Sequence, residues 1–224
     1  MGCDVAHNVL YVSQFVSALK PTRKDGMGRI SKVALDGRVI EERYLPPKGG
    51  ILNKPKGIWV QGNRLWVTDI DVVWEFDLKT KRGRKVALPG VKFANDPTVM
   101  GNALYVSDNR GDILFKVQPA DFLGMKGEPK VSQVFSGAGV NPNGLYPSRG
   151  GMLDGLYEMK DRSLLATDWV SGSLFHWSIQ GGMQKLATGF KGPADLCVMP
   201  GRHGLTVIVP DLVKSELRIV ELGQ

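Results

Sequence analysis

Five short stretches hold the side chains best suited to chemistry. They are Lys54-Pro-Lys-Gly-Ile58, Phe93-Ala-Asn-Asp-Pro97, Pro142-Asn-Gly-Leu145, Leu153-Asp-Gly-Leu156 and Gly192-Pro-Ala-Asp-Leu196. Asp154 supplies a carboxylate, and Asn95 and Asn143 supply amide carbonyls. Hard cations such as Ca²⁺ take oxygen donors of this kind and complete their shell with water. A cation so held polarises a carbonyl and stabilises the oxyanion that develops on it. Asp96, Asp154 and Asp195 are candidate bases toward water. Lys56 is either an anion-binding group or an exposed turn lysine. The Asn-Gly and Asp-Gly pairs also have a plainer reading, since they are the commonest turn dipeptides.

Side chains so far apart in sequence meet only if a repeated scaffold brings them to one place. Val9-Leu-Tyr-Val-Ser-Gln14, Arg64-Leu-Trp-Val-Thr-Asp69, Ala103-Leu-Tyr-Val-Ser-Asp108, Ser163-Leu-Leu-Ala-Thr-Asp168 and Thr206-Val-Ile-Val-Pro-Asp211 share one pattern. Each is apolar and β-prone and closes on a small or polar pair. A second β-prone segment follows each of them, at 28–35, 71–78, 111–118, 172–179 and 215–222. A third follows in the first four repeats, and another strand precedes the matched segment in the last four. The unit is therefore four antiparallel strands of about 40 residues, the size of a propeller blade. The expected fold is all-β, one domain over residues 1–224: a β-propeller of four-stranded antiparallel blades, five of them visible. Inner strands of such a disc end at one mouth of its channel, which is where the candidate residues would converge. The first blade lacks most of its inner strand and the last its outer strand. The exposed edge that results favours a homodimer.

Other features narrow the function. The net charge is +7. The basic run Lys79-Thr-Lys-Arg-Gly-Arg-Lys85 falls on a turn between strands and reads as a solvated hairpin. Without interleaved aromatics it is no stacking platform, so no nucleic-acid partner is expected. No run of 18 apolar residues predicts a membrane span. Met1-Gly-Cys-Asp-Val-Ala6 has no apolar stretch of the secretory type, which leaves periplasmic and cytoplasmic parents both open. Cys3 and Cys197 provide neither a disulfide framework nor a zinc spacing. His176 reads as a satisfied strand histidine, and His7 and His203 as turn residues. Asp69, Asp108 and Asp168 end equivalent strands and read as turn caps bonded to backbone amides. Neither a nucleophile elbow nor a phosphate-binding loop occurs.

In order and placement, the five stretches resemble those of the SMP-30/gluconolactonase/LRE-like family of six-bladed propellers, with NHL and strictosidine synthase-like proteins as looser relatives. The resemblance implies a divalent cation, usually calcium, held at one channel mouth by Asn143 and Asp154 with Asn95 beside them. It also implies hydrolysis of small lactones or esters. Combined with the chemistry above, it makes Asp154 and Asp195 the catalytic candidates and Asn95 and Lys56 the substrate-binding ones. Two departures stand out. The family's first-blade Glu ligand has no counterpart in this chain. Asn143 and Asp154 lie eleven residues apart where the family has about one blade. Roughly 35–40 residues of a blade are then missing between Tyr146 and Met152. The alternative function is a non-catalytic binding propeller, or a rearranged one that keeps only the fold.

Overall fold

The computed structural model describes all residues except 18–19, 35, 109–112, 137–152, 162, 179–181, 202–203, 212, 215 and 224. Five antiparallel sheets form the blades of a five-bladed β-propeller. Blade 1 contains β1 (Gly2–Asp4), β2 (Val9–Gln14), β3 (Arg29–Ala34) and β4 (Val39–Leu45). Blade 2 contains β5 (Pro55–Gln61), β6 (Arg64–Asp69), β7 (Val72–Asp77) and β8 (Gly83–Ala87). Blade 3 contains β9 (Ala94–Met100), β10 (Ala103–Asp108), β11 (Ile113–Gln118) and β12 (Lys130–Ser136). Blade 4 contains β13 (Leu153–Glu158), β14 (Leu164–Asp168), β15 (Ser173–Ser178) and β16 (Gly182–Ala187). Blade 5 has three strands, β17 (Cys197–Pro200), β18 (Gly204–Asp211) and β19 (Glu216–Gly223). Among the described residues the only helical turn is a 3₁₀ turn at Val5–His7, and no helix is long and apolar enough to cross a membrane.

The pair that closes the second strand carries two structural duties, both seen in blades 2 and 3 and one of them in each of blades 1 and 5. The terminal Asp clamps the start of its own blade's inner strand. Asp69 accepts from the amides of Asn53 (2.8 Å) and Lys54 (2.7 Å). Asp108 does the same for Lys92 and Phe93, and Asp211 for Lys191 and Gly192. The residue before it reaches into the next blade. The hydroxyls of Ser13, Thr68 and Ser107 donate to the carbonyls of Lys56, Asn95 and Asp154. The turn-cap reading of Asp69 and Asp108 is thereby met. Asp168 also caps a turn, accepting from the Ser171 amide at 2.8 Å.

Burial of apolar area between blades supplies the main cohesive force. One buried cluster joins blades 1 and 2 through Tyr11, Ile30 and Leu65. A second joins blades 2 and 3 through Trp66, Val73 and Phe115. Further clusters join blades 3 and 4 and blades 4 and 5. The tryptophans sit where blades meet: Trp66 also donates to the Ala120 carbonyl at 2.9 Å, and Trp177 packs on the cluster between blades 3 and 4. His176 bonds Ser163 Oγ at 2.6 Å, the satisfied histidine expected.

Three expectations need correction or placement. Blade 1 does have an inner strand, β1, because Gly2, Cys3 and Asp4 pair with Tyr11, Leu10 and Val9. Three residues without β-branching are too short a run to register as a repeat. Cys3 and Cys197 form a disulfide, with Cα atoms 6.7 Å apart. Their separation in sequence hid this, but closing a ring brings its first and last strands together. Asn143, and the proposed gap between Tyr146 and Met152, lie outside the described residues.

The basic run begins on the turn between β7 and β8, as expected, and continues into β8 from Gly83; two of its members are tethered. Lys81 pairs with Glu41 at 2.7 Å, and Arg84 donates to the carbonyls of Phe122 and Met125.

Candidate functional site

Aligning the sheets by register shows which inner-strand residues occupy equivalent places. Pro55 opposes Asp69, Ala94 opposes Asp108, Leu153 opposes Asp168, and Pro193 bridges Asp211. The next position inward is Lys56, Asn95, Asp154 and Ala194 in blades 2 to 5. The one after that is Gly57, Asp96, Gly155 and Asp195. Between them these two tiers hold four of the five predicted site residues.

The second tier alternates glycine and aspartate for a steric reason. A Cβ on Gly57 would lie 2.6 Å from Asp96 Cα and 2.7 Å from the Asn95 carbonyl oxygen. One on Gly155 would lie 2.7 Å from both Cα and C of Asp195. Each glycine lets the following blade's aspartate come up against its backbone. The inner strands of a five-bladed ring are thus drawn close, and the lower channel is stoppered by Trp59 against Tyr157, ring centroids 5.2 Å apart.

Above that plug a cavity of about 360 Å³ opens at the mouth. Lys56, Asn95, Asp96, Asp154, Asp195 and Phe15 line part of it. Asn95 Nδ2 donates to Asp154 Oδ1, joining residues 59 apart in sequence. Asp96 Oδ2 accepts from the Leu156 amide at 2.5 Å, so this carboxyl spans from blade 3 to blade 4. Its other oxygen, Oδ1, is buried without a hydrogen-bond partner. Asp195 Oδ1 accepts from the Leu196 amide at 2.8 Å, and the Met1 nitrogen contacts Oδ2. Lys56 Nζ stands 4.1 Å from the centroid of the Phe93 ring.

Electrostatics set these carboxyls apart from surface ones. Burial drives Asp96 well above the usual carboxylate range, and the nearby Asp195 charge adds to it, against the opposing pull of the Leu156 amide. Burial likewise raises Asp154, and Asp195 raises it further, while the Asn95 hydrogen bond and the Lys56 charge oppose the rise. The arrangement offers carboxyls shifted by burial toward their protonated form, one amide and one cation around a small cavity.

Lys56, Asn95, Asp154 and Asp195 therefore meet at one mouth. Asp96, which the sequence suggested only as one of three possible bases, is the most enclosed carboxyl there. Its signal was the doublet Asn95-Asp96, whose second member falls in the tier that Gly57 and Gly155 leave without side chains and that Asp195 also occupies. Lys54 was not singled out at all. Fully buried, it pairs with Asp25 at 2.8 Å and holds the β2–β3 loop beside the mouth. Among the described residues, no three His, Cys, Asp or Glu side chains converge as a ready metal cage.

No protein-family model matches the sequence, and no curated protein matches it. Similarity appears at the level of solved structures. A catalytically inactive virginiamycin B lyase from Staphylococcus aureus, solved with Quinupristin, superposes with TM-score 0.55 at 13% identity. That match covers 86% of this chain and 59% of the lyase chain. A selenomethionine form of the lyase gives 0.53 at 13% identity over 96% of this chain and 89% of its own. The extracellular domain of BT4673 from B. thetaiotaomicron, described as a one-component system, gives 0.55 at 13% identity. The chain covers 98% of itself there and 27% of that protein. At this identity the shared property is the β-propeller fold. The chain thus spans 59% of the first of these structures and about a quarter of the last.

Proposed function

We propose that the chain is a hydrolase of small lactones or esters, of the SMP-30/gluconolactonase type, working at the mouth of its channel with a divalent cation such as Ca²⁺. The observation that carries this reading is the meeting of Asn95 and Asp154 beside Asp96 and Asp195 in one cavity at the channel mouth. The donor set fits a hard cation: carboxylate and amide oxygens, with Asp96 Oδ1 buried and lacking a partner. Burial, with the Asp195 charge adding to it, holds Asp96 and Asp154 toward the protonated form, and a cation would favour their ionised form. Asp154 and Asn95 would hold it, with Asn143 as a further candidate ligand. When bound, the cation would supply Lewis-acid polarisation of the substrate carbonyl.

The chain's own residues divide the remaining work. Asp195 lies within electrostatic reach of both raised carboxyls and can take a proton from water. Asp96, held by the Leu156 amide and shifted by burial toward its protonated form, is a candidate proton donor beside the cavity. Lys56 is positioned to bind the hydroxy-acid anion that ring opening releases. Phe15 and Phe93 offer apolar surface at the cavity edge.

A second reading, a non-catalytic binding propeller, is favoured by one feature: Asn95 Nδ2 and Asp154 already satisfy each other. Hydrolysis of simple γ- and δ-lactones, followed with and without millimolar Ca²⁺, separates the two. Activity lost in chelator and in Asp154→Ala supports the hydrolase. An unchanged melting temperature in Ca²⁺, together with no effect of Asp154→Ala, sinks it.

A further inference from the structure

Four of the five blade junctions are filled by buried apolar clusters. Among the described residues no such cluster spans blades 5 and 1. What joins them instead is the Cys3–Cys197 disulfide and the contact of the Met1 nitrogen with Asp195. The register shows what lies on either side of this seam. In an antiparallel sheet, directly opposed residues share a face. Cys3 opposes Leu10, Leu10 opposes Val33, and Val33 opposes Val39, so these four form one row across blade 1. Cys197 opposes Ile208, and Ile208 opposes Ile219, forming the matching row across blade 5. The disulfide sets the two rows face to face at the hub. Farther out they are not packed: Val39 is 55% exposed and Ile219 65%. The seam is a wedge, closed at the centre by one covalent bond and open at the rim.

The same bond borders the site. Cys197 is two residues from Asp195, and both cysteines share a second channel cavity, of about 120 Å³, with Asp96 and Asp195.

We propose that Cys3–Cys197 is a redox latch, which a dithiol reductant opens to part blades 5 and 1 and withdraw Asp195 from Asp96 and Asp154. A thiolate of the reductant attacks one cysteine sulfur; Cys3, the more exposed of the two, is the accessible one. The sulfur–sulfur bond breaks, Cys197 leaves as a thiolate and is protonated, and a mixed disulfide remains on Cys3. The reductant's second thiol then displaces Cys3. Two electrons and two protons have passed to the cysteines, and the reductant ends as a disulfide. Four packed junctions hold the other blades in place, so the opening is confined to the seam. The idea is independent of the hydrolase reading, since it concerns the ring rather than the reaction.

The test compares the chain oxidised and reduced with dithiothreitol, thiols being counted chemically, alongside Cys3→Ser and the double variant Cys3→Ala/Cys197→Ala. Amide hydrogen exchange in β1 and β17 should quicken at least tenfold on reduction, while β6 and β10 stay protected. Both variants should show the open pattern whether or not reductant is present. The proposal is overturned if both thiols react before reduction, or if β1 and β17 exchange equally in the two states. Loss of protection in all blades together also overturns it, because the bond is then a global staple and not a latch.

Discussion

Asp69→Ala tests whether the repeated aspartate is structural. Asp69 is buried and accepts from the amides of Asn53 and Lys54, with Asn53 Nδ2 as a third donor at 3.3 Å. Hydrogen bonds to a charged acceptor contribute about 1.5–3 kcal/mol each, and a buried amide left unpaired costs about 1–3 kcal/mol. The two losses differ. Lys54 is fully buried, so its amide has no water to turn to, whereas Asn53 is only half-buried and its amide can be rehydrated. The expected cost is therefore about 3–4 kcal/mol, set mainly by Lys54. In a chain of this size that lowers the melting temperature by about 8–12 °C. Asp69→Asn keeps one acceptor oxygen and should lose about half as much. Urea and thermal unfolding of the three proteins, read as midpoint and slope, measure this directly. A cost below about 1 kcal/mol for Asp69→Ala would refute the clamp.

Gly57→Ala should destabilise strongly, because its Cβ would meet the backbone of Asn95 and Asp96; Gly62→Ala on the β5–β6 turn, with open space around it, serves as the strain control in the same melts. Glu75 is raised to about 7, chiefly by burial, with Asp121 adding to the rise and the Phe122 and Leu123 amides opposing it. Its folded state therefore holds a proton more tightly than the unfolded chain does, so stability falls as pH climbs from about 4.5 to about 7. Glu75→Gln should flatten that slope in melting temperature against pH. Asp96→Asn follows the same sign: removing a carboxyl whose ionisation is suppressed should raise the melting temperature at pH 8 relative to pH 4, while abolishing any hydrolysis. Leu217 and Ile219, each 65% exposed on the edge strand β19, should support pairing between chains; light scattering at high concentration should show dimer, and Ile219→Lys should remove it.

Period-two apolar segments ending in Ser-Asp or Thr-Asp made the blades legible, and in blades 2 and 3 that pair does the same two jobs. Its absence is informative as well. Gln14 ends β2 in place of Asp and is spent on Arg29 Nε (2.7 Å) and Ser31 rather than on an inner-strand amide. Pro210 replaces the hydroxyl residue in β18, the strand whose next neighbour would be blade 1. Both irregularities fall on the blades that flank the seam. The disulfide was not legible, because spacing rules describe cysteines in compact frameworks, and here ring topology does the bringing together. The burial of Lys54 was not legible either. A lysine in a Lys-Pro-Lys turn looks solvated until Asp25, on a loop with no repeat signature, is found against it.

The channel mouth follows from how the blades are spaced. Five inner strands leave less room at the hub than six, and Gly57 and Gly155 answer that by removing their side chains where Asp96 and Asp195 come in. Closeness then has an electrostatic consequence. Carboxyls that a wider channel would hydrate are here enclosed, so burial and mutual repulsion hold Asp96 and Asp154 toward the protonated form. Such groups cost stability in the empty protein, and the ring tolerates them where its junctions are packed with apolar side chains. At the one junction without such packing, a covalent bond stands next to Asp195. The most strongly perturbed groups in the molecule and its weakest non-covalent seam thus share a cavity, and a change at either should be felt by the other.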